Sequence, residues 1–110
     1  MDVRNRGSYE IEGRELVAEG ADLRVQVLTL APGQCVPWHH HSEVTDSFVC
    51  LTGQTVIETR TPDRTTTLAP GERFAVEPNM AHKVYGKDER GCEFMIIQGV
   101  GAYDFIPAGE

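Results

Sequence analysis

Short apolar runs separated by Gly and Pro turns, one about every 8–12 residues, constrain the fold of this chain more than any other feature. Leu23–Leu30 alternates apolar and polar residues, as a strand with one buried face does. No window shows a sustained helical period. The pattern predicts an all-β sandwich or barrel, and the lack of an internal repeat indicates one domain over residues 1–110.

The turn residues divide the chain into ten candidate strands. A tight turn at Gly53 predicts that the strands on either side of it form a hairpin. The apolar residues of the tail, 99–107, are expected to cover a sheet edge or a neighbouring subunit. The predicted strands are Ser8–Ile11, Arg14–Ala18, Leu23–Leu30, Cys35–His41, Ser47–Leu51, Thr55–Arg60, Thr65–Leu68, Arg73–Val76, Ala81–Tyr85 and Cys92–Gln98.

Three consecutive histidines lie inside one of these strands. His39 and His41 share a face, with Cα atoms roughly 6.6 Å apart, while His40 points away. If residues 42–45 form a turn, Asp46 returns toward the pair, and His82 is the only other histidine. Three imidazoles and a carboxylate would suit one divalent Fe, Mn, Ni, Co, Cu or Zn ion. An exposed histidine run without a role remains the alternative at this point.

The charge balance bears on the possible partners. The chain has 17 acidic and 10 basic residues, a net charge of −7, and no basic run, which argues against a nucleic-acid or anionic-membrane partner. No apolar segment approaches the roughly 20 residues that cross a bilayer, and residues 1–7 contain no apolar signal region. Cys35, Cys50 and Cys92 are widely spaced and odd in number, so we expect free thiols in a reducing cytoplasm.

Two stretches of the sequence resemble the motifs of the cupin superfamily. The first motif is matched in every spacing, with Asp46 where the family usually has Glu. In the second, Asn79 replaces the usual Gly, which is a mild change because Asn tolerates the left-handed conformation. The customary Asn after the last histidine is absent. The matching positions are Gly33, His39, His41, Asp46 and Gly53 in the first motif, and Gly71, Pro78 and His82 in the second.

The resemblance implies a double-stranded β-helix, or jelly-roll barrel, with a core over about residues 23–98 and terminal arms that pack on it or on a partner subunit. It implies His39, His41 and His82 as metal ligands. Asp46 is one methylene shorter than Glu, so it would bind the metal directly, through water, or only orient a ligand histidine. Glu43 is an alternative carboxylate with a longer reach, although a solvated turn residue is the simpler interpretation.

The interior near the metal would be lined by residues that lie an even number of positions from Asp46 along the strand and so share its face. Phe48 and Cys50 satisfy this condition, and Phe74 and Met95 would belong either to the same lining or to the core. Trp38 shares its face with His40 and is expected to pack between sheets or subunits.

Three functions are compatible with these features. The first is a metal-dependent enzyme acting on a small oxygenated molecule, as a dioxygenase, and hence an oxidoreductase, an isomerase or a lyase. The second is a non-catalytic barrel that binds or senses a metal or a small ligand, which the lack of an obvious acid–base group favours. The third is a metal-free scaffold. The resemblance also implies a homodimer.

Overall fold

The computed structural model describes residues 9–109, which form two antiparallel five-stranded sheets. One sheet has the order β1-β2-β9-β4-β7 and the other β10-β3-β8-β5-β6. No helix among residues 9–109 is long and apolar enough to cross a membrane. The strands are β1 (Gly13–Glu19), β2 (Leu23–Leu30), β3 (Cys35–His40), β4 (Thr45–Thr52), β5 (Thr55–Thr59), β6 (Arg64–Leu68), β7 (Arg73–Val76), β8 (His82–Gly86), β9 (Cys92–Gly99) and β10 (Ile106–Pro107).

The predicted all-β jelly roll is confirmed, and nine predicted strands match observed ones to within two residues at each end. The first predicted strand is wrong where it can be assessed. Ser8 lies outside the described residues, and 9–11 form no strand; instead Tyr9 and Ile11 pack against the core. A short apolar run of this kind fits a core-covering arm as well as a strand, because both bury alternate side chains.

The predicted hairpin around Gly53 is also wrong. β4 pairs with β7 and β9, whereas β5 pairs with β6 and β8 in the opposite sheet. The turn therefore carries the chain from one sheet to the other. The local pattern did not distinguish the two cases, because a tight turn between two strands that each bury one face permits either arrangement.

The core fills the space between the two sheets. In β2 and β9 every second residue is buried, so one face of the first sheet packs inward over most of its length. The largest fully buried apolar side chains are Phe48, Phe94, Leu30 and Ile57. Toward one end of the barrel the inward positions change from apolar to polar, and the histidines lie there.

A β-bulge in β3 sets which histidines point inward. Val36 pairs with Val84 and His39 pairs with His82, so β3 contains one residue more than β8 over this stretch. Strict alternation from the buried Val36 would turn His39 outward, whereas the bulge buries both. Pro37 lies within the bulge, where its missing N–H removes no ladder hydrogen bond.

The C-terminal arm closes this end of the barrel. Ile106 and Pro107 pair with His40 and His39, and the backbone N–H of Ala108 donates to the carbonyl of Trp38. The tail thus covers the edge of the second sheet within its own chain.

Candidate metal centre

Four side chains that the sequence singled out meet inside the barrel. His39 lies on β3, His41 directly follows it, Asp46 lies on β4 and His82 on β8, so both sheets contribute. Residues 42–44 form the expected turn, which returns Asp46 to the histidines. All four side chains are buried, and one potential ligand atom from each lies within 4.8 Å of the others.

The shortest distances within this cluster match ligands of a common ion. Asp46 Oδ2 is 2.8 Å from His41 Nε2 and 2.8 Å from His82 Nε2. Two ligands at right angles on an ion, with bonds of about 2.1 Å, lie roughly 3.0 Å apart. The Asp46 carboxylate is therefore close enough to both imidazoles to share an ion with them, despite its short side chain.

A backbone carbonyl fixes each of the three imidazoles. Nδ1 of His39 lies 2.7 Å from the Pro37 oxygen. Nδ1 of His41 lies 2.5 Å from the Asp104 oxygen, and Nδ1 of His82 lies 2.9 Å from the Met80 oxygen. A carbonyl oxygen only accepts, so each Nδ1 carries the hydrogen. In the neutral rings, each Nε2 consequently presents a lone pair.

This set of atoms fits a divalent transition metal. With every Nδ1 hydrogen bonded to a carbonyl, three Nε2 lone pairs and a carboxylate oxygen converge in a buried space, and all of them are acceptors. Acceptors in such proximity require positive charge among them, which a metal ion supplies or, without one, protons on the imidazole Nε2 atoms. Three imidazoles and one carboxylate suit Fe, Mn, Ni, Co, Cu or Zn, and the donor set does not choose among these metals.

The pKa values in the cluster are shifted by burial and by the neighbouring ionisable groups. Burial, followed by the neighbouring His82, lowers the pKa of His39 to about 3, so this ring stays in its neutral, ligating form. Burial also opposes protonation of His41, but the hydrogen bond and charge of Asp46 outweigh it and raise the pKa of that imidazole. Burial would raise the pKa of Asp46, yet the hydrogen bonds that His41 and His82 donate through Nε2 when no metal is bound hold it below its ordinary value.

The sequence profile of the cupin domain matches residues 26–98, about two thirds of the chain. This chain belongs to the cupin family. A search among curated proteins gave no match. The family assignment agrees with the two antiparallel sheets and with the positions of the two histidine-bearing stretches.

Solved structures show the same fold at low sequence identity. A double-stranded β-helix protein of Klebsiella pneumoniae is 23% identical, with a TM-score of 0.77 over 96% of this chain and 90% of its own. A cupin superfamily protein of Desulfitobacterium hafniense is 18% identical, with a TM-score of 0.70 over 79% and 75%. The oxalate decarboxylase of Lactobacillus farciminis, solved as its formate complex, is 13% identical, with a TM-score of 0.69 over 78% of this chain and 26% of its own.

The other residues considered for this cupin's site lie elsewhere. Glu43 is exposed, and its Oε1 accepts a hydrogen bond from the Ala102 N–H, 3.2 Å away. His40 is half-buried and stays outside the cluster. Trp38 faces away and packs under the Arg60 guanidinium, 3.7 Å from the ring centre.

Of the four predicted lining residues, one lines the cavity beside the metal cluster. Phe48 does so, together with His39. Cys50 is fully buried farther along β4, with its Sγ near the carbonyls of Thr52 and Gly53. Phe74 packs against the edge of the core, and Met95 is half-buried on the opposite face of β9, because Phe94 and Ile96 take the inward positions.

Several residues near the cluster were missed by the sequence analysis. Phe105 stacks on His39 with ring centres 4.4 Å apart, and Tyr103 lies 5.3 Å from His41. The carbonyl of Asp104 holds His41, and no sequence signal marks a backbone carbonyl. Gln26 and Gln98 could have been found, because they are polar residues at inward positions of strands whose other inward residues, apart from Arg24, are apolar.

The cluster predicts a selective loss of metal on mutation. His82→Ala should lower the affinity for one divalent ion per chain by more than about 100-fold, since it removes a ligand rather than a supporting contact. His40→Ala is the matched control: it lies in the same histidine run, is not part of the cluster, and should keep the wild-type affinity. Elemental mass spectrometry and calorimetric titration measure both. Full metal occupancy in His82→Ala would disprove the ligand assignment.

Proposed function

We propose that this cupin is a metal-dependent enzyme that acts on a small oxygenated molecule, in a dioxygenase, isomerase or lyase type of reaction. The observation that carries the proposal is the convergence of His39, His41, Asp46 and His82 beside an internal cavity. Four protein ligands leave two positions of a six-coordinate ion for a substrate, whereas a purely structural site is closed by the protein. A divalent metal bound there would supply Lewis acidity, and Fe(II) would add oxygen chemistry.

The cavity favours a ligand of few atoms. Its volume is about 20 Å³, little more than one water molecule requires. One side is apolar, formed by residues such as Leu28, Val36 and Phe94, and excludes water from the reacting atoms. The polar part of the lining consists of Tyr9, Arg14, Gln26, His39, Gln98 and Tyr103.

The charge of this lining favours an anion. Arg14 is the one cationic side chain that lines the cavity within residues 9–109. Its guanidinium donates to the hydroxyl of Tyr9 at 3.0 Å and to Oε1 of Gln26 at 3.5 Å, both of which are neutral. An arginine facing neutral partners retains its attraction for a carboxylate or an enolate. The formate-bound oxalate decarboxylase is 13% identical and shares the fold alone. The inference that the ligand is an anion therefore rests on Arg14.

A second candidate function is a non-catalytic barrel that binds or senses a small ligand. One observation favours it: within the part of the chain that the structure describes, no Lys, Asp or Glu lines the cavity. Burial, followed by the nearby Tyr9, raises the pKa of Tyr103, so that hydroxyl stays protonated at neutral pH. Proton transfer in an enzyme of this kind would therefore depend on groups held at the metal.

The remaining expectations concern the assembly and the compartment. We propose a homodimer formed through the outer face of the first sheet, where Val27, Met95 and Ile97 are half-buried and Leu16 is 55% exposed. Size-exclusion chromatography with light scattering should show two chains per particle at micromolar concentration, and a monomer would contradict the proposal.

The three free cysteines are consistent with a reducing cytoplasm.

Metal analysis followed by turnover assays tests the enzyme proposal. The untagged chain, purified without oxygen, should contain close to one transition metal ion, and His82→Ala should contain none. Wild-type protein reconstituted with that ion should then turn over a member of a panel of small carboxylates and enolisable carbonyl compounds, while His82→Ala should not. Metal binding without any turnover would favour the binding barrel. Failure to bind any candidate ion would exclude the metal-dependent enzyme and leave a barrel that binds a small ligand.

Replacing Arg14 tests the preference for an anion. In Co(II)-loaded protein, Arg14→Gln should weaken acetate binding about tenfold, because a hydrogen bond to a charged group contributes about 1.5 kcal/mol. Binding of the neutral isostere acetamide should not change. Arg73→Gln, an exposed change on β7, is the control. Visible absorption of the cobalt centre reports both ligands, and equal weakening of acetate and acetamide would argue against the charge of Arg14 as the cause.

A further inference from the structure

The two carboxylate oxygens of Asp46 have different partners. Oδ2 faces the Nε2 atoms of His41 and His82, whereas Oδ1 accepts a hydrogen bond from Nε2 of Gln98 at 3.1 Å. Gln98 lies directly across from Asp46 in the pairing of β4 with β9, and only 4% of it is exposed. One oxygen is therefore directed to the candidate metal position and the other is engaged by the neighbouring strand.

The Gln98 amide belongs to a chain of buried polar groups. Its Oε1 lies 3.5 Å from Nε2 of Gln26, and Oε1 of Gln26 accepts from the Arg24 guanidinium at 3.3 Å. A guanidinium only donates and a carboxylate only accepts, so the two ends fix the direction of both amides. In each glutamine, Oε1 accepts a hydrogen bond on the side of Arg24 and Nε2 donates one on the side of Asp46. The Gln98 N–H is consequently held toward Oδ1.

The position of Gln98 argues for a specific role. The other inward side chains of β9 are Cys92, Phe94 and Ile96, which form the apolar core. A buried amide is unfavourable unless its hydrogen bonds are made. The polar residue on the inner face of β9 lies opposite the one carboxylate of the metal cluster, where an apolar side chain would leave Oδ1 without this donor.

We propose that Gln98 is a positioning residue that restricts Asp46 to a single oxygen at the metal and so keeps a coordination position open for the ligand. The inference rests on the proposed metal binding. A carboxylate binds an ion through one oxygen or through both. With Oδ1 hydrogen-bonded to Gln98, Asp46 contributes Oδ2 alone. Without that donor, Oδ1 is available to the same ion and would occupy a position that a substrate needs.

The test counts the exchangeable waters on bound Mn(II). Gln98→Met keeps the length and the unbranched shape of the side chain but removes the donor. The longitudinal relaxation rate of water protons per bound Mn(II) should fall about twofold, because one of two open positions is taken by Oδ1. Gln98→Leu provides a second variant if the first folds poorly, and Gln26→Leu should produce a smaller change in the same direction.

The control separates this effect from a general loss of core packing. Cys92→Ala shortens another inward side chain of β9, one that belongs to the core and does not line the cavity, and should leave the relaxation rate per bound ion unchanged. If wild-type protein binds Mn(II) and the Gln98 variants give the same water-proton relaxation rate per bound ion, the role of Gln98 is disproved while metal binding stands. If the wild-type chain binds neither Mn(II) nor another divalent ion, both proposals fail.

Discussion

The hydrogen bonds from three imidazole Nδ1 atoms to backbone carbonyls determine the chemistry of this site. They leave every Nε2 as an acceptor and direct all three toward one carboxylate. The acceptor carbonyls belong to Pro37, Met80 and Asp104, which lie in three separate segments of the chain. A backbone carbonyl therefore helps to orient each ring, and a change in any of these segments would alter the metal cluster.

Each of these segments departs from regular structure. Pro37 lies in the bulge of β3, which buries His39 and supplies the carbonyl that holds the same ring. Met80 follows a turn in which Asn79 adopts a left-handed conformation, with φ of 68°, and donates its N–H to the carbonyl of His41. Asn is among the few residues besides Gly that accept this conformation readily. Irregular backbone thus supplies the carbonyls that orient the histidines.

The sequence was sufficient for the fold and for the four clustered residues, because both depend on local spacing. Alternation located the strands, and the placement of His39, His41, Asp46 and His82 followed from the motif positions. Contacts between segments distant in the chain were not predictable in this way. The Asp104 carbonyl reaches His41 across 63 positions and Gln98 reaches Asp46 across 52, and such approaches depend on which strands become neighbours. The hairpin expected at Gly53 was wrong for the same reason, since the choice of sheet is a long-range property.

The Asp at position 46 and the Gln at position 98 are best understood as one unit. The cupin motif usually carries Glu where this chain has Asp46, and Asp holds its carboxylate one methylene closer to the backbone of β4. At that distance Oδ1 meets the amide of the residue directly opposite on β9, while Oδ2 still reaches two imidazoles. A glutamate here would hold its carboxylate one methylene farther from the backbone of β4, at a different distance from the Gln98 amide. The shorter side chain therefore does not remove the carboxylate from the centre; it brings the carboxylate within range of a partner that controls how it binds.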